Sequence, residues 1–123
     1  MAKKRVLSVG QCYPDQFTIA RAITSHFDVE VLAADSIKEA VEVLGQSSVS
    51  LVLVNRIFDA DGTPGLTLVK RLKADEKTCS IPVMLVSNYP EAQQEAVNAG
   101  AIPGFGKSAL AEQETVERLK EFL

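Results

Sequence analysis

The chain has 123 residues, 46% of them hydrophobic and 24% charged, with a formal net charge of −3. That is the size and composition of one water-soluble domain, large enough to bury about two-thirds of its unfolded surface. The net negative charge argues against a nucleic-acid surface, and the one basic cluster, Lys3-Lys4-Arg5, lies at the start. Val6 to Val9 then reads as a short strand, too short to be the apolar core of a signal peptide before Gly10-Gln11. No stretch approaches the length of a membrane span, so the expected location is cytoplasmic.

Tyr13-Pro14-Asp15 opens a helix, with proline in the first turn and the carboxylate at the positive end of the dipole. Phe17, Ala20, Ile23 and Phe27 give its apolar stripe. Val29 to Leu32 is the second strand. Ser36 and Glu39 form a capping box, Ile37, Ala40, Val41 and Leu44 the buried face of the second helix, and Gly45 its expected end. Val49 to Val54 is the strongest strand, apolar enough to be covered on both faces, and it runs into Asn55. Leu66, Val69 and Leu72 mark the third helix. Ile81 to Val86 is the fourth strand, with Pro82 near its start. Pro90 opens the fourth helix, Ala92, Ala96 and Val97 are expected to face inward, and Gly100 closes it. A weak fifth strand falls in Ile102 to Gly106. Leu110 to Leu123 is the last helix, with Val116, Leu119 and Leu123 on one side. The pattern predicts a (βα)5, doubly wound, five-stranded parallel sheet in a three-layer α/β/α domain spanning 1–123, with right-handed crossovers and no attached effector domain.

In such sheets the working residues gather at the carboxyl edge of the strands. Asn55 stands there as a neutral amide, which can hydrogen-bond but is neither a carboxylate nucleophile nor a charged metal ligand. Cys12 and Cys79 match no zinc or redox spacing and fall at opposite ends of the sheet, so both are expected as free thiols. A reactive-thiol role for Cys12 is the minor alternative. His26, at the end of the first helix, has no acidic or nucleophilic neighbour in sequence and reads as a helix-end residue.

Two local motifs compete for attention. FDADGTPG, with Asp59 and Asp61, looks like the start of a calcium loop but lacks the later ligands and bidentate Glu, so a solvated turn is expected. Ala101 to Ser108 matches a relaxed phosphate-binding loop ending in Lys107-Ser108. Pro103 removes one of the N–H groups such a loop needs, and no later strand supplies a magnesium-binding acid.

The chain is similar, along essentially its whole length, to the receiver domain of bacterial response regulators. Glu91-Ala92 through Ala99-Gly100-Ala101, with Lys107 seven residues after Gly100, resembles that family's fourth helix, its AGA turn and the lysine ending its fifth strand. Pro64 to Lys70 resembles the start of its third helix. The resemblance implies five polar positions: two acids after strand one that hold magnesium, a phospho-acceptor aspartate after strand three, a Ser/Thr after strand four and a lysine after strand five. In this chain they are Gly10, Gln11, Asn55, Ser87 and Lys107. The aromatic switch position falls on Gly104, and the proline after the lysine is Ser108.

With the three carboxylates gone, no magnesium cofactor and no phosphoryl transfer are expected, and the protein is not expected to be an enzyme. Asn55 is weighed between a loop-capping amide and a ligand-binding group. Ser87 is expected to cap the following helix, and Lys107 is weighed between solvent and an internal hydrogen bond to Asn55 and carbonyl oxygens, with the internal contact favoured. The resemblance implies two-component signalling through a protein partner, a sensor kinase or output protein, or a second copy of the chain. The expected contact face is the fourth helix, fifth strand and fifth helix, with Gln93, Gln94, Asn98, Glu112, Glu117 and Arg118 exposed on it. The alternatives are a receiver with a displaced acceptor at Asp59, and a small-ligand or phosphate binder at the Asn55–Ser87–Lys107 edge.

Overall fold

A computed structural model describes residues 3–123. Its elements follow one another as β1 (Lys4–Val9), α1 (Tyr13–His26), β2 (Val29–Ala34), α2 (Ile37–Gln46), β3 (Leu51–Asn55), α3 (Gly65–Ala74), β4 (Val83–Val86), α4 (Pro90–Asn98), β5 (Ile102–Phe105) and α5 (Gln113–Lys120), with one 3-10 turn at Lys107–Ala109. All strand pairs are parallel, in the order β2-β1-β3-β4-β5. The strand order reverses between β1 and β3, and there the sheet opens a crevice at its carboxyl edge.

Alternation along the strands sends successive side chains to opposite faces. Leu7, Val9, Val52, Val54, Val83 and Leu85 pack under α2, α3 and α4. Val6, Leu51, Leu53, Met84, Val86 and Phe105 pack under α1 and α5. Leu51 to Val54 of β3 are completely buried, as a strand covered on both faces requires.

Several boundaries and faces differ from the sequence expectation. The stripe of α1 is built on Ile19 and Ile23, and Phe17, about 200° round the helix from Ile19, stands 57% exposed. Val97 is also exposed. α2 runs through Gly45 to Gln46 and ends on Ser47 in an extended conformation, so no left-handed glycine closes it. Gly100, with φ of 111°, does follow α4. The last helix is much shorter than expected. The 3-10 turn and the Glu112 cap delay its start to Gln113, and it ends at Lys120. The stretch that matched a phosphate-binding loop is occupied by β5 up to Phe105, and as a strand it has no nest of N–H groups to offer a phosphate.

Candidate functional site

β1 ends where Gly10, still hydrogen-bonded by its N–H to Ala34, turns into a left-handed conformation with φ of 80°. The turn carries two consequences. A side chain at this position would be strained, because only glycine adopts that conformation freely. It would also have no room: a Cβ on residue 10 would stand 2.7 Å from Cγ of Phe58 and 2.9 Å from its Cε1. Phe58 is 1% exposed, and its ring fills the space that an acidic side chain at the end of β1 would enter.

The carbonyl of Gly10 accepts two hydrogen bonds, from the Asp59 backbone N–H at 2.9 Å and from the Asn55 side-chain amide at 2.9 Å. The same Asn55 nitrogen donates to the Ile57 carbonyl at 2.8 Å. Both its protons therefore hold backbone, one across to β1 and one within its own loop. Of the two roles weighed for Asn55, the loop-capping amide is the one its contacts describe. Gln11 is 6% exposed, and neither its amide oxygen nor its nitrogen has a protein partner, nor does the hydroxyl of Ser8 below it.

On the other side of the crevice Ser87 is buried, and its hydroxyl accepts from the Tyr89 N–H at 3.1 Å at the entrance to α4, the capping role expected of it. Lys107 departs from expectation. Its ammonium pairs with Asp15 at 2.6 Å instead of bonding Asn55. The pair brings a carboxylate to the site from the first turn of α1, so the inventory of acids is one rather than none. Lys107 draws the Asp15 carboxyl below the usual carboxylate range, helped by the Cys12 thiol and opposed by partial burial. Ser108, where the resemblance implies proline, donates its hydroxyl to Asn88 Oδ1 at 3.0 Å, tying the turn after β5 to the loop after β4. Asn55, Arg56, Ile57, Ser87, Tyr89 and Lys107 line an open cleft of about 340 Å³. Asp59 is exposed and is not among its lining residues. Asp61 accepts from the Thr63 N–H at 3.0 Å in a tight turn, and no group of three metal-binding side chains gathers among the described residues.

The expected contact face needs two corrections. Gln93 is half-buried, not exposed. Its amide nitrogen donates to the Leu85 carbonyl at 2.8 Å and the Ser87 carbonyl at 3.1 Å, and its oxygen accepts from the Gly104 N–H at 3.1 Å. A Cβ on residue 104 would run into the Leu85 carbonyl oxygen and lie 3.0 Å from the Leu85 nitrogen and 3.1 Å from that Gln93 oxygen, so the β4 backbone first, and Gln93 beside it, leave no room for a side chain here. Arg118 is likewise half-buried and donates to the Gly104 carbonyl and to Glu114. Gln94, Asn98, Glu112 and Glu117 are exposed as expected. Cys12 and Cys79 are both free thiols, and His26 lies exposed in the last turn of α1.

Sequence reasoning missed Asp15, Phe58 and the inward turn of Gln93. For Asp15 a signal existed: once the three carboxylates are gone, Lys107 lacks a counter-charge, and Asp15 is the acid nearest in sequence to the end of β1. Phe58 and Gln93 gave none, because each is defined by a neighbour that is glycine.

Five parallel strands in this order, flanked by five helices, are the CheY-like receiver fold. The signal receiver domain of a DNA-binding response regulator from Colwellia psychrerythraea 34H superposes with a TM-score of 0.81 at 18% identity, over 96% of each chain. A CheY-like receiver domain protein from Methanospirillum hungatei JF-1 gives 0.78 at 20% identity, over 98% of this chain and 93% of its own. NtrX from Brucella abortus gives 0.73 at 19% identity; 98% of this chain matches it, and this chain spans 28% of its length. No family model and no curated protein matches the sequence.

Proposed function

We propose that the protein is an atypical receiver module of two-component-type signalling that acts by binding other proteins without being phosphorylated. The observation that carries this reading is the Phe58 ring packed against Gly10. A receiver phosphorylates itself at an aspartate with magnesium held by neighbouring acids. Here the acceptor position is an amide whose nitrogen is committed to backbone, the acid positions are Gly10 and Gln11, and an apolar ring fills the space beside them. These groups do not fit magnesium, a hard cation that keeps near-octahedral oxygen ligands. An amide in place of the carboxylate cannot form an acyl phosphate. The remaining lysine is already neutralised by Asp15. The partners would be a sensor kinase, an output protein or a second copy, on a face that includes Gln94, Asn98, Glu112 and Glu117.

The competing reading is a small-anion binder, favoured by the cleft at Asn55, Ser87 and Lys107. It requires an anion to displace Asp15 from Lys107. Incubation with acetyl phosphate and magnesium followed by intact mass measurement tests the main reading, and the expected result is an unchanged mass. A stable adduct of one phosphoryl group overturns it, and mapping that group to Asp59 would identify a displaced acceptor. Titration with inorganic phosphate followed by the Lys107 and Asn55 NMR signals tests the competitor.

A further inference from the structure

Next to the degenerate site lies a second depression of about 340 Å³, between the start of α3 and α4. It lies on the flank of α4 that faces α3, and so shares α4 with the contact face considered above. Pro64, Leu66, Leu85 and Ala92 make its lining apolar. Ile57 and Tyr89 stand at its margin, 39% and 57% exposed, and they are among the few large apolar side chains the fold leaves in water. A concave, mostly apolar lining with a few polar groups at its edge is the shape that receives a single ligand side chain.

The charge around this groove is lopsided. Glu91 and Glu95, one turn apart on α4, line it and enter no ion pair among the described residues. α4 carries no basic residue to balance them. The cation opposite, Arg56, lies over the Tyr89 ring at 4.9 Å from its centroid, held by the aromatic face. The groove thus offers an apolar pit with a free acidic wall.

We infer that this groove docks a segment of a partner protein that inserts one bulky apolar side chain, Leu or Phe, and presents Lys or Arg to Glu91 and Glu95. The inference rests on the reading of the protein as a binding module and adds the surface and the chemistry of what it binds. The apolar anchor supplies affinity by leaving water, and the basic residue supplies orientation and partner choice, as rim charges do. Arg56, Ile57 and Tyr89 line both this groove and the Ser87–Lys107 cleft, so a docked segment also touches the edge of the old phosphoryl site.

The test selects random dodecapeptides displayed on phage against the immobilised protein. Enriched peptides are then titrated against the wild type, Ala92→Arg and the Glu91→Lys/Glu95→Lys double variant. The expected peptides carry Leu or Phe near Lys or Arg, shift the amide signals of Leu66, Tyr89 and Ala92, and weaken at least about tenfold against both variants. Failure to enrich any peptide, enrichment of peptides lacking Lys and Arg, or amide shifts confined to other surfaces overturns the inference. The wild-type shifts locate the peptide even where a variant does not fold. An empty groove together with an unchanged acetyl-phosphate mass removes only this inference, whereas a phosphoryl adduct removes the reading it rests on.

Discussion

Asn55 and Asp would look like close relatives at the acceptor position, differing by one atom. In this protein they are opposites. Both amide protons of Asn55 go to carbonyl oxygens, and a carboxylate has no proton to give them. Asn55→Asp is therefore expected to destabilise the protein by about 2 kcal/mol, two lost hydrogen bonds plus oxygen facing oxygen, and to leave its mass unchanged by acetyl phosphate. Urea denaturation and intact mass after acetyl phosphate check the two halves. A variant as stable as wild type would show that the amide holds nothing. Lys107 gives a pH-dependent prediction. Asp15 has its carboxyl pKa depressed in the folded state, so its contribution is present above the ordinary carboxylate value near 4 and is lost as pH falls below it. The pair is about a third exposed, which limits it to roughly 0.5–1 kcal/mol. The stability difference between wild type and Lys107→Met should thus be present at neutral pH and shrink from about pH 4 downward. A difference constant with pH would assign it to packing of the lysine stem. The neutral character of the site was legible in the sequence at Gly10, Gln11 and Asn55. For the partner of Lys107 the sequence offered only the nearness of Asp15 to the end of β1; the contact itself depends on how α1 is seated on the sheet.

At the scale of elements, Gln93 joins three of them. Its single amide connects α4 to the ends of β4 and β5, where the receiver resemblance places an aromatic switch. Gln93→Leu keeps the bulk and removes all three hydrogen bonds. It should cost about 2–3 kcal/mol and speed hydrogen exchange at the Gly104 amide, which loses its acceptor. Unchanged exchange at Gly104 would show that the bonds do not restrain β5. The limits of the last helix were illegible for a related reason. The apolar spacing of Val116, Leu119 and Leu123 continues a helical period in both directions, while the 3-10 turn set by Gly106 and the Asn88–Ser108 bond decides where α5 starts. In α1, Phe17 and Ile19 are comparably apolar. Ile19 packs with Val6, Leu51 and Leu53 of the sheet while Phe17 does not, a tertiary choice that local periodicity does not contain.

For the molecule as a whole, the alternation of strand and helix predicted a parallel, doubly wound sheet with crossovers of one hand, while the strand order β2-β1-β3-β4-β5 is set by packing that the alternation does not contain. Leu51 to Val54 announced the central strand by being apolar without alternation, and all four are fully buried. That strand carries both cores, so Leu53→Ala should cost about 2–5 kcal/mol, whereas Tyr13→Ser, on an 84% exposed side chain, should stay within about 0.5 kcal/mol. Chemical denaturation of the two variants measures the contrast. Equal losses would mean that Tyr13 is covered in solution by a second copy or another partner.

The ring of Phe58 against Gly10 also bears on the paths by which this sequence could change. A single substitution of Gly10 by aspartate meets two obstacles together, a backbone angle that disfavours any side chain and a ring standing where the side chain would go. The ring must shrink first, which opens a hole in the core before a carboxylate has room to fit. Substitutions on the exposed surface meet no such barrier, whereas a carboxylate at residue 10 requires the packing around Phe58 to give way first.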